Sequence, residues 1–141
     1  MTILQKPEFW YAVVPVCVTI IIYYLSQHKK SEKKFVLKLF VANQTLSLSI
    51  QRNLEEFIEK HNAFNAIAFP EGNITFGQFF EQMKAEFEVN LSEPLYSKLK
   101  KKKFSKFEIE AAIDSLNKQN EALRLVDIDM KLVIKKADST N

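Results

Sequence analysis

From Phe9 to Leu25 the chain reads FWYAVVPVCVTIIIYYL, 17 residues without a charge, and the basic run His28-Lys29-Lys30-Ser31-Glu32-Lys33-Lys34 follows at once. As a helix this stretch rises about 25 Å, close to a hydrocarbon core roughly 30 Å thick. Trp10 and Tyr11 at one end, with Tyr23 and Tyr24 at the other, occupy the headgroup depths where amphipathic rings anchor a span. Pro15 falls early, where few intrahelical bonds exist to lose, and Cys17 serves as a small apolar residue. A cleaved secretory signal would want a basic leader and a small-x-small cleavage site. Only Lys6 precedes the run, offset by Glu8, and the run ends in Tyr-Tyr-Leu-Ser-Gln-His. The expectation is one uncleaved transmembrane helix within residues 1–27.

Charge sets the orientation. Lys29, Lys30, Lys33, Lys34 and Lys38 follow the run, against Lys6 before it, which places the C-terminal part on the cytoplasmic side. Glycosylation triplets at Asn43, Asn73 and Asn90 argue the opposite. Such triplets arise by chance in an Asn- and Ser-containing chain, and the charge asymmetry outweighs them.

The remaining residues can form one small domain with a modest core. Twelve Phe against two Gly favour a compact, mainly helical body. Segment 28–62 reads as a basic juxtamembrane stretch and helical stalk, 63–136 as the globular domain, and 137–141 as a disordered tail. In the stalk Val36, Leu39, Phe40, Ile50, Leu54, Phe57 and Ile58 fall near a 3.6-residue stripe, suited to packing on the same chain. Asn43-Gln44-Thr45 should interrupt that helix, and the alternation over 46–50 leaves a short strand open. Pro70 and Gly72 mark a turn, Gly72 allowing a positive φ.

Thr75 and Gln78 then form a capping box opening a helix whose apolar face is Phe76, Phe79, Phe80, Met83 and Phe87. A shorter helix should run from Ser92 to about Lys101 with Pro94 in its first turn. Ser105 and Glu108 cap a third, with Ile109, Ala112, Ile113 and Leu116 inward. Beyond it the period shifts to two. Leu123 and Leu125 flank Arg124, and Met130, Leu132 and Ile134 flank Lys131 and Lys135. With a turn at Asp127-Ile128-Asp129 this predicts a C-terminal β-hairpin.

Helix, short helix, capped helix, hairpin is an order that resembles the winged-helix superfamily, most closely in FSKFEIEAAIDSLNKQNEALRLVDIDMKLVIK. The fold expected is therefore mainly α with a small C-terminal β-hairpin, an α+β domain of winged-helix type behind one transmembrane helix. The resemblance implies DNA reading by the third helix. Its outer face, however, would show Glu108, Glu110 and Asp114 beside Lys118, and carboxylates there repel phosphate. We read those four residues as a protein-partner surface instead. Lys98, Lys100, Lys101, Lys102, Lys103 and Lys106 form a separate basic cluster. It can lie on anionic lipid, grip a nucleic-acid backbone, or simply be solvated.

Chemistry finds little purchase. No G-x-S-x-G, H-E-x-x-H, EF-hand or phosphate-cradling Gly-rich pattern occurs, and two Gly make a backbone phosphate cradle hard to build. One Cys excludes disulfide frameworks, and His28 and His61 lack metal-ligand spacing. The expectation is a protein with no catalytic, metal or cofactor site. It would be a single-pass membrane adaptor or assembly subunit whose partners are membrane lipid and a protein or multi-subunit membrane complex. A membrane tether for nucleic acid through Lys98–Lys106 is the second reading.

Overall fold

The computed structural model describes residues 30–140. The membrane-segment expectation, with Trp10, Tyr11, Tyr23 and Tyr24, lies outside those residues. Among the described residues no helix is long and apolar enough to cross a membrane. Helices account for 81% of them, joined by one two-stranded antiparallel sheet, so the core is made by helix packing on helix.

Two long helices dominate, α1 (Lys30–His61) and a C-terminal helix, α4 (Lys106–Ser139). One buried row on α1 is Val36, Phe40, Asn43, Ser47, Ile50, Leu54 and Phe57, spaced alternately four and three. On α4 a matching buried row is Ile109, Ala112, Leu116, Gln119, Leu123, Val126 and Met130, spaced three and four. Both are seams of the kind that pairs helices side by side. The pair runs parallel: the partner of Asn43 lies 76 residues further along the chain and the partner of His61 lies 77 further.

Parallel neighbours in one chain need a return crossover. At the end of α1, Asn62 takes φ 48° and the Ala63 N–H donates to the Ile58 carbonyl, a Schellman closure. Strands β1 (Ile67–Phe69) and β2 (Ile74–Thr75) follow as a short hairpin, pairing Phe69 with Ile74 and Ile67 with Thr75. The positive φ its turn requires is supplied by Asn73 at 53°, not by Gly72 as expected. Helices α2 (Phe76–Asn90) and α3 (Glu93–Lys101) then carry the chain back. Their 15 and 9 residues rise about 36 Å together, close to the roughly 42 Å from His61 to Lys33 along α1. Both expected capping boxes form, at Thr75–Gln78 and Ser105–Glu108. Phe79 is buried against Phe69 in an edge-to-face pair at 5.1 Å, while Phe80 is half-buried beneath Lys84.

Two expectations are corrected. Helix α1 is unbroken through Asn43-Gln44-Thr45 and through 46–50. The polar residues there are paired across the core rather than breaking the helix. Asn43 Nδ2 donates to the Leu116 carbonyl at 2.9 Å and to Gln119 Oε1 at 2.8 Å, and its Oδ1 accepts from Asn120 at 2.8 Å. Gln44 donates to the Leu91 carbonyl at 2.7 Å and so pins the α2–α3 joint against mid-α1.

The C-terminal hairpin, and with it the wing, is replaced by helix. Residues 123–134 continue α4 without a break, and 137–139 complete its last turn rather than forming a tail. The period of two came from superimposing two helical stripes, an inner one (Leu123, Val126, Met130) and an outer one (Leu125, Ile128, Leu132). No Gly or Pro interrupts 105–139, and an Asp127–Lys131 ion pair at 2.9 Å supports the turn where the hairpin bend was expected.

Asn43→Ala should therefore destabilise the protein by about 1–3 kcal/mol, because it orphans the buried Gln119 and half-buried Asn120 amides. Urea unfolding should show a lower midpoint with an unchanged slope. A midpoint equal to the parent's would mean the network does not join the two helices.

Candidate functional site

The basic cluster occupies the junction between α3 and α4. Lys98, Lys100 and Lys101 stand in the last turn of α3, where cations favour the negative end of the helix dipole. Lys102 is the C-cap in extended backbone, and Lys106 is the first residue of α4. All six lysines are exposed, yet the loop is not loose. Between Lys103 and Ser105 the chain buries Phe104, 1% exposed, in the core. Ser105 then closes the capping box with Glu108.

The first turns of α1 hold this loop from the side. Lys33 Nζ donates to the Lys100 carbonyl and lies 6.0 Å from the centre of the Phe104 ring. Partial burial there pushes the Lys33 ammonium below the usual lysine range. Residues 67 apart in sequence are thus fastened together, with Lys33 of α1 joined to the α3–α4 lysines. Among the described residues no carboxylate lies within ion-pair distance of Lys98, Lys100–Lys103 or Lys106. Lys106 also opposes the positive end of α4. The cluster was legible in the sequence, but its joining to α1 was not.

The acidic surface changes membership. Glu110, Asp114 and Lys118 are exposed along one line of α4, with Asp114 and Lys118 paired at 3.0 Å. Glu108 does not belong with them. It is 7% exposed, and its carboxylate accepts the Ser105 N–H, so it is part of the helix start. The same outer line continues through Glu121 to Leu125, Ile128 and Leu132, which are 48%, 54% and 60% exposed. These apolar residues were missed because the hairpin assignment split them from the helix. Their signal was the 4–3 spacing of 114, 118, 121, 125, 128 and 132.

At the far end of the pair a groove of about 440 Å³ lies between α1 and α4, floored by Phe57 and Ile134. Of the charged or titratable side chains here, Lys60 and His61 are paired with Asp138 and Lys131 with Asp127. Asp138 meets His61 Nε2 at 2.7 Å and Lys60 at 3.6 Å, and the hydrogen bond from His61 is the largest cause holding its carboxyl below the usual range. That arrangement clamps the two helix ends together. Among the described residues no group of three His, Cys, Asp or Glu is placed to hold a metal ion. Of the glycosylation triplets, Asn43 is fully buried and Asn90 is 3% exposed, so neither can carry a glycan in this fold, whereas Asn73 is exposed.

Compared with known proteins, the chain matches no family model, and no curated protein or solved structure shows significant similarity to it.

One titration can be read in stability. Burial pushes the Glu86 carboxyl on α2 from an ordinary value of 4.5 up to about 7, against a smaller downward pull from its hydrogen bond with Gln82. The folded state thus holds this proton more tightly than the unfolded chain. The stabilisation is fully present below pH 4.5 and is lost as pH rises through about 7. Glu86→Gln should remove that loss and raise stability at pH 8 by on the order of 3 kcal/mol, given about 1.4 kcal/mol per tenfold change in proton affinity. Equal parent and variant stabilities at pH 8 by chemical denaturation would refute the burial of this carboxylate.

Proposed function

We propose that the protein is a single-pass membrane-anchored adaptor or assembly subunit, and that α4 presents its outer face to a partner at the cytoplasmic surface. The observation that carries this reading is that outer face. An exposed row of Leu125, Ile128 and Leu132 continues an acidic row of Glu110, Asp114 and Glu121 on one straight helix. Apolar side chains repeating at seam spacing toward solvent are characteristic of protein docking surfaces. The occupant that fits is an amphipathic helix of another protein. Its apolar stripe would cover Leu125–Leu132, and its basic residues would face Glu110, Asp114 and Glu121.

The uncharged run 9–25 and the lysines after it support the anchor and its orientation. Burial of Asn43 and Asn90 weakens the glycosylation argument against a cytoplasmic domain. A recognition helix for duplex DNA fits poorly, because the α4 outer face is acidic and apolar rather than basic.

The test is site-specific photocrosslinking of the full chain in its native membrane. A crosslinker at Ile128 should give one discrete protein adduct, and a crosslinker at Glu55 on α1 should not. In a chain carrying the Ile128 crosslinker, Glu110→Lys with Asp114→Lys should abolish the adduct, with helical content by circular dichroism unchanged. Adducts of equal strength from Glu55 and Ile128, or an Ile128 adduct indifferent to both charge reversals, would contradict the reading.

A further inference from the structure

We infer that the joined basic surface of α1 and the α3–α4 loop is a docking face for anionic lipid headgroups, which seats the domain against its own membrane with α1 and α4 starting at the bilayer. This rests on the anchor reading above and adds to it a second, electrostatic attachment made by residues remote in sequence.

The geometry comes from the parallel pairing. Because α1 and α4 start at the same end, the crossover must return there, and α3 delivers Lys98–Lys103 beside Lys33. The four residues 26–29, between the uncharged run and α1, can span at most about 14 Å. The first turns of α1 therefore stay at headgroup range, and the loop fastened to them stays there too. An antiparallel pair would have carried the same lysines to the far end of the domain.

The chemistry agrees with the placement. Consecutive lysines at 100–103 repel one another, and Lys106 stands at the wrong end of a helix dipole, costs that a surface of negative headgroups relieves. Phe107, 63% exposed in the first turn of α4, sits among these cations, the mix of aromatic and lysine found at membrane interfaces. At the opposite end Lys60 and Lys131 are held in ion pairs with Asp138 and Asp127, while Lys135 and Lys136 are exposed. Lipid fits better than nucleic acid because the fastening to α1 keeps the lysines at the end of the domain nearest the uncharged run. The long outer line of α4, along which a duplex would have to lie, carries Glu110, Asp114 and Glu121 and then the apolar Leu125, Ile128 and Leu132.

The experiment uses the full chain with Cys17→Ser and a spin label at Ser97→Cys, an exposed position on α3. It is reconstituted into vesicles of phosphatidylcholine alone and into vesicles that also contain phosphatidylserine. Headgroup-chelated nickel reports how near the label lies to the surface. Relaxation should be faster on the phosphatidylserine vesicles. The difference should vanish in molar salt, where the screening length falls from about 8 Å to about 3 Å. It should vanish equally in a variant with Lys100, Lys101, Lys102 and Lys103 all changed to Gln. Changing Lys131, Lys135 and Lys136 to Gln alters net charge at the far end and should leave it intact.

Equal relaxation on both lipids, or loss in the far-end variant as well, would overturn the inference. So would release of the label from phosphatidylserine vesicles by a short DNA duplex near physiological salt, which would assign the lysines to phosphodiester polymers. Failure of the anchor reading is distinguishable, since alkaline carbonate would then strip the chain from neutral vesicles. Salt-sensitive docking to phosphatidylserine is read independently of that extraction.

Discussion

The structure depends on a buried amide lock between two parallel helices. Asn43 sits midway along α1 and is satisfied on all sides by Leu116, Gln119 and Asn120 of α4. The apolar residues around it would tolerate other alignments, since every seventh position repeats the same seam. A slip of one heptad would set Asn43 beside Ala112 or Val126 in place of Gln119, so its amide would lose the side-chain acceptor that Gln119 supplies. Burying unpaired amides costs more than the apolar contacts of the slipped pair could restore. The polar layer thus selects one register at some expense in stability, as single polar residues do in helical seams generally.

That register decides where everything else goes. Two parallel helices oblige the intervening chain to travel the length of the domain and return. The hairpin and helices α2 and α3 are that return path, with Gln44 holding its midpoint and Phe104 its end. The Phe-rich core follows, because α2 must fill the space beside α1. The tilted rings of Phe57 and Phe76 lie 4.9 Å apart and Phe40 lies 5.8 Å from Tyr96. The His61–Asp138 contact closes the far end, and Lys33 closes the near one. The two ends differ in kind. At one, Lys60 and His61 meet Asp138, while at the other no carboxylate among the described residues lies within ion-pair distance of Lys98, Lys100–Lys103 or Lys106.

Local signals were legible in the sequence and tertiary ones were not. Thr75–Gln78 and Ser105–Glu108 declare helix starts through side chains that answer their own backbone, so both caps and the phase of α2 can be read directly. Asn43 and Gln44 carry the opposite lesson. Alone they look like a helix interruption, and only partners 47 to 77 residues away turn them into core. The false hairpin has a similar origin. Helix α4 is apolar on two faces, one for α1 and one turned outward, and two helical stripes out of phase mimic an alternation. For the candidate surfaces, the lysine run and the Glu110–Asp114 row were visible. The joining of the lysines to α1 required the parallel pairing, and the removal of Glu108 required knowing that a capping carboxylate is buried as well as bonded.

The claim on which this account rests is that α1 and α4 run in the same direction, bringing the α3–α4 lysines to the start of α1. Dipolar distance measurement between paired spin labels, on a Cys17→Ser background of the full chain, tests it directly. Labels at Lys34→Cys and Lys102→Cys should lie near one another, within roughly 25 Å, labels and linkers included, because both flank the first turns of a helix only 10–12 Å across. Labels at Lys34→Cys and Lys136→Cys should be separated by about 45 Å, the rise of the 30 residues of α4 between them. The reverse order of distances, with Lys136 near Lys34 and Lys102 remote, would mean an antiparallel pair and would contradict the account.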